Sequence, residues 1–278
     1  DMISMARPFL ADPHLVKKAR LSRAKDINTC IGCNQACLDH VFKRKVSSCL
    51  VNPRACHESD FPAIPRPEAS QSVADRGGLG GKQLAGRRIA VVGGGPAGMS
   101  AALERARLGA DVVLFERQAQ LGGQFLLAQR IPGKFEFNET IRYFETQLAH
   151  LGVDVRLGSV ATTEDVAAFD EVVMATGVRP RGLNIPGSDR PEVVSYVDVL
   201  TGAVQVGARI AIVGAGGIGF DGADFLTHDA DDAGFMASWG VDTSLESRGG
   251  LAEAQRTASQ REVHMYQRRP GKMLSLIH

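Results

Sequence analysis

Long apolar runs are missing from this 278-residue chain. None approaches the roughly 18 apolar residues that a membrane helix needs, so no membrane partner is expected. An excess of charge is missing too. A net charge of +1 gives no chain-wide attraction to nucleic acid, which is likewise not expected as a partner. No signal-peptide pattern is visible. Cysteine is scarce, five in all, and four of the five stand in one metal-type pattern, which points to a reducing cytosol rather than a disulfide scaffold. Glycine is what the chain has in plenty. Its 31 glycines include two loops of the dinucleotide-binding type. The length allows about two domains, and a 44% hydrophobic content lets them bury real cores.

Residues 30–56 carry the most specific pattern. Cys30, Cys33, Cys37 and Cys49 follow C-x2-C-x3-C-x11-C. A close trio with one distant thiolate is the usual way to surround a 4Fe–4S cluster. Gly32 lets the backbone turn tightly enough for its N–H groups to face sulfur. A tetrahedral structural zinc also takes four cysteines, although zinc sites more often show two C-x2-C pairs and here there is one. Cys56 reads as a buried spare thiol.

The first dinucleotide unit begins at residue 87. An apolar strand over 89–92 leads into Gly93, Gly95 and Gly98, spaced G-x-G-x-x-G. A helix follows with Met99, Ala102, Leu103 and Ala106 on one face, then a strand over 112–115 that ends in Glu116. The first glycine makes the turn, the second lets backbone approach a pyrophosphate, and the third packs helix on strand. The helix N-terminus supplies amides and dipole, and Glu116 is placed for a ribose hydroxyl. Residues 134–151 read as an amphipathic helix. The unit repeats after residue 204 with Gly214, Gly216 and Gly219, and its second strand, 261–269, ends in Gln267, Arg268 and Arg269. An acid there would repel a 2′-phosphate, whereas an arginine fork pairs with one, so NADPH is expected over NADH. Between them lies a polar insertion, 228–260, read as surface structure; its Asp229, Asp231 and Asp232 form a solvated acidic loop.

Residues 1–29 read as a short strand (DMISM), a turn and a helix, with Asp12 as N-cap, Pro13 at the first helical position, and Leu15, Val16, Ala19 and Leu21 on one face. That arrangement is a candidate phosphate site. Residues 57–86, rich in Pro, Gly and Ser, read as an exposed linker.

SMARPFLADP, INTCIGCNQACLD and SCLVNPRAC resemble the bacterial NADPH-dependent 2,4-dienoyl-CoA reductase family, relatives of trimethylamine dehydrogenase and the old yellow enzymes. The resemblance runs from residue 1 to about 270. It implies an α/β chain in which residues 1–29 end an FMN-carrying (β/α)8 barrel and 30–56 hold the iron–sulfur cluster. After the 57–86 linker, 87–203 form an incomplete FAD domain and 204–278 the start of an NADP domain. It implies that Ala6 and Arg7 contact the FMN phosphate and that the four cysteines ligate the cluster. LGGQF, with Gly123 and Gln124, resembles the loop that passes the flavin, and Val160 the strand end that meets its adenine. Implied cofactors are thus FAD, NADPH, a 4Fe–4S cluster and, with the rest of the barrel, FMN.

The implied activity is an electron relay from NADPH through FAD and the cluster to FMN, which reduces an unsaturated acyl-CoA in fatty-acid β-oxidation. The family's catalytic Tyr and His positions fall outside residues 1–278, and His40, His57 and His264 are given surface or packing roles. The chain opens at Asp1 and is expected to be an internal piece. Two other readings remain open: a sibling NAD(P)H:flavin oxidoreductase of the trimethylamine dehydrogenase or enoate reductase type, and a truncated, catalytically silent cofactor-binding chain.

Overall fold

The computed structural model describes residues 2–61, 83–228, 232–255, 258–268 and 270–271. They fall into two compact units, Asp1–Leu126 with Glu136–Pro180, and Leu127–Phe135 with Arg181–His278.

The first unit opens with α1 (Arg7–Ala11), α2 (Leu15–Arg20), a 3₁₀ turn (Ala24–Asp26) and α3 (Leu38–Phe42). Then come β1 (Arg88–Val92), α4 (Pro96–Arg107), β2 (Asp111–Phe115), α5 (Phe125–Ala128), whose last two residues are counted with the second unit, α6 (Phe137–His150), β3 (Asp154–Arg156), α7 (Thr163–Val166) and β4 (Glu171–Met174). The four strands make one parallel sheet in the order β3-β2-β1-β4. Strands of a parallel sheet covered by helices read as apolar runs, as β1 and β2 do, whereas the outer β3 and β4 alternate exposed and half-buried residues. Ile89 and Val91 of β1 and Leu114 of β2 are fully buried. Met99, Ala102, Leu103 and Ala106 recur at helical spacing and turn α4's apolar stripe onto that sheet. Ile141 and Leu148 of α6 join the same core.

The second unit contains α8 (Tyr196–Thr201), β5 (Arg209–Val213), α9 (Gly217–Thr227), α10 (Asp232–Ser238) and β6 (Glu262–Tyr266). β5 and β6 pair in parallel. Both strands alternate between exposed and half-buried residues. Among the described residues of this unit, the buried hydrophobic ones are Ile131, Leu200 and Leu226. The insertion holds α10 and a lone bridge between Val241 and Leu251, and its Trp239 is exposed. Asp229 and Asp231 lie outside the described residues, as do 62–82 of the linker.

The N-terminal stretch corrects the sequence expectation at three points. Residues 2–5 form no strand and lie exposed, because a strand needs a ladder partner and none of the described residues supplies one. Asp12 does not cap α2, which starts at Leu15 after His14. Its carboxylate is instead buried, accepting from the amides of His14 at 3.0 Å and Asn28 at 2.8 Å and pairing with the Lys18 ammonium. The expected apolar face of α2 is accordingly turned out, with Val16 and Leu21 exposed and Lys18 buried. A buried carboxylate needs a cation and hydrogen-bond donors, and meeting that need takes the inner face of the helix.

Candidate functional site

Gly93 follows β1, and its N–H donates to the Phe115 carbonyl at 2.8 Å, carrying the β1–β2 ladder one residue past the strand ends. The chain then turns into α4. Gly95 occupies the N-cap without any side-chain cap and Pro96 stands in the first turn. The amides of that first turn are thus left facing outward with the positive end of the helix dipole. At Gly98 a Cβ would lie 1.7 Å from the Gly93 carbonyl oxygen, so only glycine lets loop and helix close this tightly.

Glu116 stands directly after β2, buried beside this loop. Its carboxylate accepts from the amide of Gly94 at 2.6 Å and of Gln118 at 2.8 Å. The Leu121–Gly123 stretch packs onto the same loop, with the Gly122 N–H donating to the Gly94 carbonyl at 2.9 Å and Gly123 facing Gly95. Gln124 Nε2 donates to the Val178 carbonyl, past the end of β4, at 3.1 Å. Val160 is exposed, and its neighbour Ser159 donates to the Glu116 carbonyl at 2.8 Å. Gly93, Gly95, Gly98, Glu116, Gly123 and Gln124 are therefore brought together at the carboxyl ends of β1, β2 and β4. Strand order reverses there, and open α/β sheets hold their ligands at such a point. The uncapped amides, the close-packed glycine backbones and the buried acid fit a dinucleotide such as FAD.

In the second unit the Gly214 N–H donates to the Tyr266 carbonyl at 2.8 Å, and a Cβ on Gly219 would lie 2.0 Å from the Gly214 oxygen. Gly216 is the uncapped N-cap of α9. Val92 pairs with Phe115 in the first unit and Val213 with Tyr266 in the second. By that register Gln267 stands where Glu116 stands. Its Nε2 donates to the Gly271 carbonyl at 2.8 Å, and Arg268 beside it is exposed. Arg269 lies outside the described residues. These features fit a nicotinamide dinucleotide without requiring a carboxylate.

Cys30, Cys33, Cys37 and Cys49 line one recess of ≈ 320 Å³, its open mouth included, together with Ile31 and Arg7. All four thiols are free. Gly32 (φ 66°) and Asn34 (φ 56°) are left-handed on either side of Cys33. Burial pushes the Cys33 and Cys49 thiols up, and neighbouring cysteines add to this. Backbone amides act against it, Gln35 toward Cys33 and Val51 and Asn52 toward Cys49. Amides directed at sulfur suit a bound thiolate cluster. Among the described residues, no three Cys, His, Asp or Glu side chains are placed to hold a single ion. Four thiols lining one recess, with backbone amides near two of them, fit a thiolate-held cluster.

Arg7 is in this wall, its Nη1 donating to Asn34 Oδ1 at 2.8 Å, and Ala6 precedes α1. Cys56 is exposed, not buried. It has a left-handed backbone (φ 62°), and its amide donates to Glu58 Oε1 at 3.2 Å; that turn holds the side chain out. His40 meets the Val46 carbonyl and His57 meets Asp60, both half-buried, and the exposed His264 meets Glu262. Asn34 gives no sequence signal for its place beside Arg7, whereas Gly122 belongs to the glycine pair of LGGQF. Gly122 has φ 124°, and a Cβ there would lie 2.5 Å from Ile141 Cδ1; the only hint was the doubled glycine.

The family model described as pyridine nucleotide-disulphide oxidoreductase matches residues 87–269. A metal reductase of Desulforamulus reducens is 36% identical over 232 residues, which is 81% of this chain and 32% of that protein. An NADH oxidase of Thermoanaerobacter brockii is 33% identical over 233 residues, 81% of this chain and 33% of that protein. Among solved structures, a 2-naphthoyl-CoA reductase matches with a TM-score of 0.69 and 34% identity, over 80% of this chain and 32% of that one. The chain spans about a third of the length of these relatives. Among the described residues, no helix is long and apolar enough to cross a membrane.

Proposed function

The chain belongs to the pyridine nucleotide-disulphide oxidoreductase family, and from that premise we propose that it is the electron-input part of an NADPH-dependent reductase of unsaturated acyl-CoA thioesters, of the 2,4-dienoyl-CoA reductase kind. The observation that carries the reading is the presence, in one unit, of four cysteines around one recess and a closed dinucleotide loop with its acid. The 2-naphthoyl-CoA reductase relative supports a CoA thioester as substrate class.

In this reading the α4 amides and dipole hold the FAD diphosphate, and Gly95 and Gly123 give its backbone a close approach. Glu116, fixed by the Gly94 and Gln118 amides, keeps an acceptor for a ribose hydroxyl at the strand end. The α9 N-terminus takes the nicotinamide dinucleotide, and Arg268 with Arg269 favours the 2′-phosphate form. Cys30, Cys33, Cys37 and Cys49 hold the cluster, while Ala6 and Arg7 serve an FMN phosphate held with the rest of a barrel. When bound, these groups supply hydride acceptance at FAD and single-electron transfer at the cluster. Burial of Glu116 and the tight Gly93–Gly98 closure keep the loop pre-formed, which lowers the ordering cost of binding.

The NADH oxidase and metal reductase relatives favour a second reading, an NADH-linked flavin oxidoreductase of the enoate reductase type acting on another acceptor. Anaerobic bleaching of bound flavin by NADPH and by NADH, followed by addition of a 2,4-dienoyl-CoA to the chain joined to the rest of the FMN barrel, separates the two. Faster bleaching by NADPH, with reoxidation by the thioester, is the expected result. Faster bleaching by NADH, with no response to the thioester, would replace the first reading by the second.

A further inference from the structure

Helix α6 has two working faces. On one, Ile141 and Leu148 enter the core of the parallel sheet, and Ile141 Cδ1 fills the space beside Gly122 in the loop that packs on the first glycine turn. On the other, polar side chains meet residues 24–29, which lead directly into Cys30. The Arg142 guanidinium donates through Nη1 to the Lys25 carbonyl, and through Nη2 to the Ile27 carbonyl at 2.8 Å and to Thr29 Oγ1 at 3.3 Å. Its Nε donates to Glu139 Oε2 at 2.7 Å, and Thr29 Oγ1 donates to that same oxygen at 3.4 Å. One and two turns further on, Gln147 Nε2 donates to the buried Asp26 Oδ1 at 3.0 Å and His150 Nδ1 lies 3.2 Å from it.

The Arg142–Glu139 pair alone would be an ordinary half-exposed ion pair of little worth. The backbone contacts change its standing. Two carbonyls and a hydroxyl from alternate residues, 25, 27 and 29, converge on one planar fork, which only arginine can serve together. Adjacent residues of α6 thus touch the loop packed on the glycine turn (Ile141) and the approach to the first cysteine (Arg142).

We propose that Arg142 is a positioning residue that fixes the segment entering Cys30 against the helix backing the glycine loops, so that the cysteine recess and the dinucleotide turn keep one separation. The functional consequence, a set distance between flavin and cluster, rests on the reading above; the positioning itself does not.

The test is amide hydrogen exchange on wild type, Arg142→Ala and Arg142→Lys in metal-free, reduced protein, alongside flavin per chain and the rate of iron release to a chelator from loaded protein. Arg142→Ala should exchange the amides of residues 27–33 roughly tenfold faster, the scale of one or two lost net hydrogen bonds, while β1 and α4 keep their protection. Flavin content should hold and iron release should quicken. Arg142→Lys should fall between, since one ammonium serves fewer acceptors. Unchanged exchange at 27–33 would overturn the proposal, and so would a rise shared equally by β1 and α4. Wild type that takes up no iron or sulfide would sink the cluster reading, yet the exchange data would still decide the role of Arg142.

Discussion

The two glycine turns share one local geometry and sit in different surroundings. Gly98 and Gly219 each close on the carbonyl of the glycine five residues earlier, and Gly93 and Gly214 each donate to the last residue of the neighbouring strand. Around the first turn stand four parallel strands, a buried core and an acid aimed into the loop. Around the second, two strands present half-exposed faces, and a glutamine occupies the acid's register position. Local sequence builds the turn, and packing sets how much stability rides on it. The residues just past the second strand of each unit then bear on which dinucleotide it takes.

The contrast should be largest in the strands. Leu114→Ala is expected to destabilise the first unit by about 2–5 kcal/mol, the usual cost of emptying a fully buried leucine site. The matching change in the second unit, Met265→Ala, should cost about 1 kcal/mol, because Met265 is half-buried. Denaturant melts read by unit-specific exchange would show it, and equal losses would erase the distinction. Next come the turns. Gly98→Ala must push its methyl into the Gly93 carbonyl, costing about 1–3 kcal/mol, and should release flavin. Gly219→Ala should weaken nicotinamide binding with little change in melting temperature.

A smaller effect is expected at the strand end. Arg268→Ala should cut the preference for NADPH over NADH, measured as a ratio of kcat/KM values, by roughly tenfold, the worth of one charge-assisted pair. An unchanged ratio would remove Arg268 from cofactor choice.

Smallest is a pair of exposed carboxylates, one in each unit. The Thr162 backbone N–H and hydroxyl hold Asp165 below the usual carboxylate range. The Ser244 hydroxyl and the Ser247 amide do the same for Asp242. A carboxylate with a depressed folded pKa stabilises while ionised, and that contribution goes as pH falls through the folded value. Asp165→Asn and Asp242→Asn should therefore melt slightly below wild type at neutral pH and converge with it in acid.

Much of this was legible in the sequence because the signals are local. Glycines at fixed offsets, the apolar stripe of α4 and the acid after β2 need only neighbouring residues to make sense. The four cysteines, grouped by spacing, share one recess. What sequence missed depends on distant partners. Val16 and Leu21 look like a buried face until Asp12, held by the Asn28 amide, draws Lys18 inward. DMISM looks like a strand, but strand formation requires a neighbour. Arg142 lies on the polar side of an amphipathic helix, where sequence alone gives it the same reading as any solvated arginine. Its acceptors sit more than a hundred residues earlier.

The cysteine recess and the first glycine turn, proposed as cofactor sites of one electron-input unit, can be tested together. The direct measurement is iron, acid-labile sulfide and flavin per chain on anaerobically purified protein. About four iron, about four sulfide and about one FAD are expected. Stoichiometric zinc in place of iron, or iron and sulfide with no flavin, would contradict that reading.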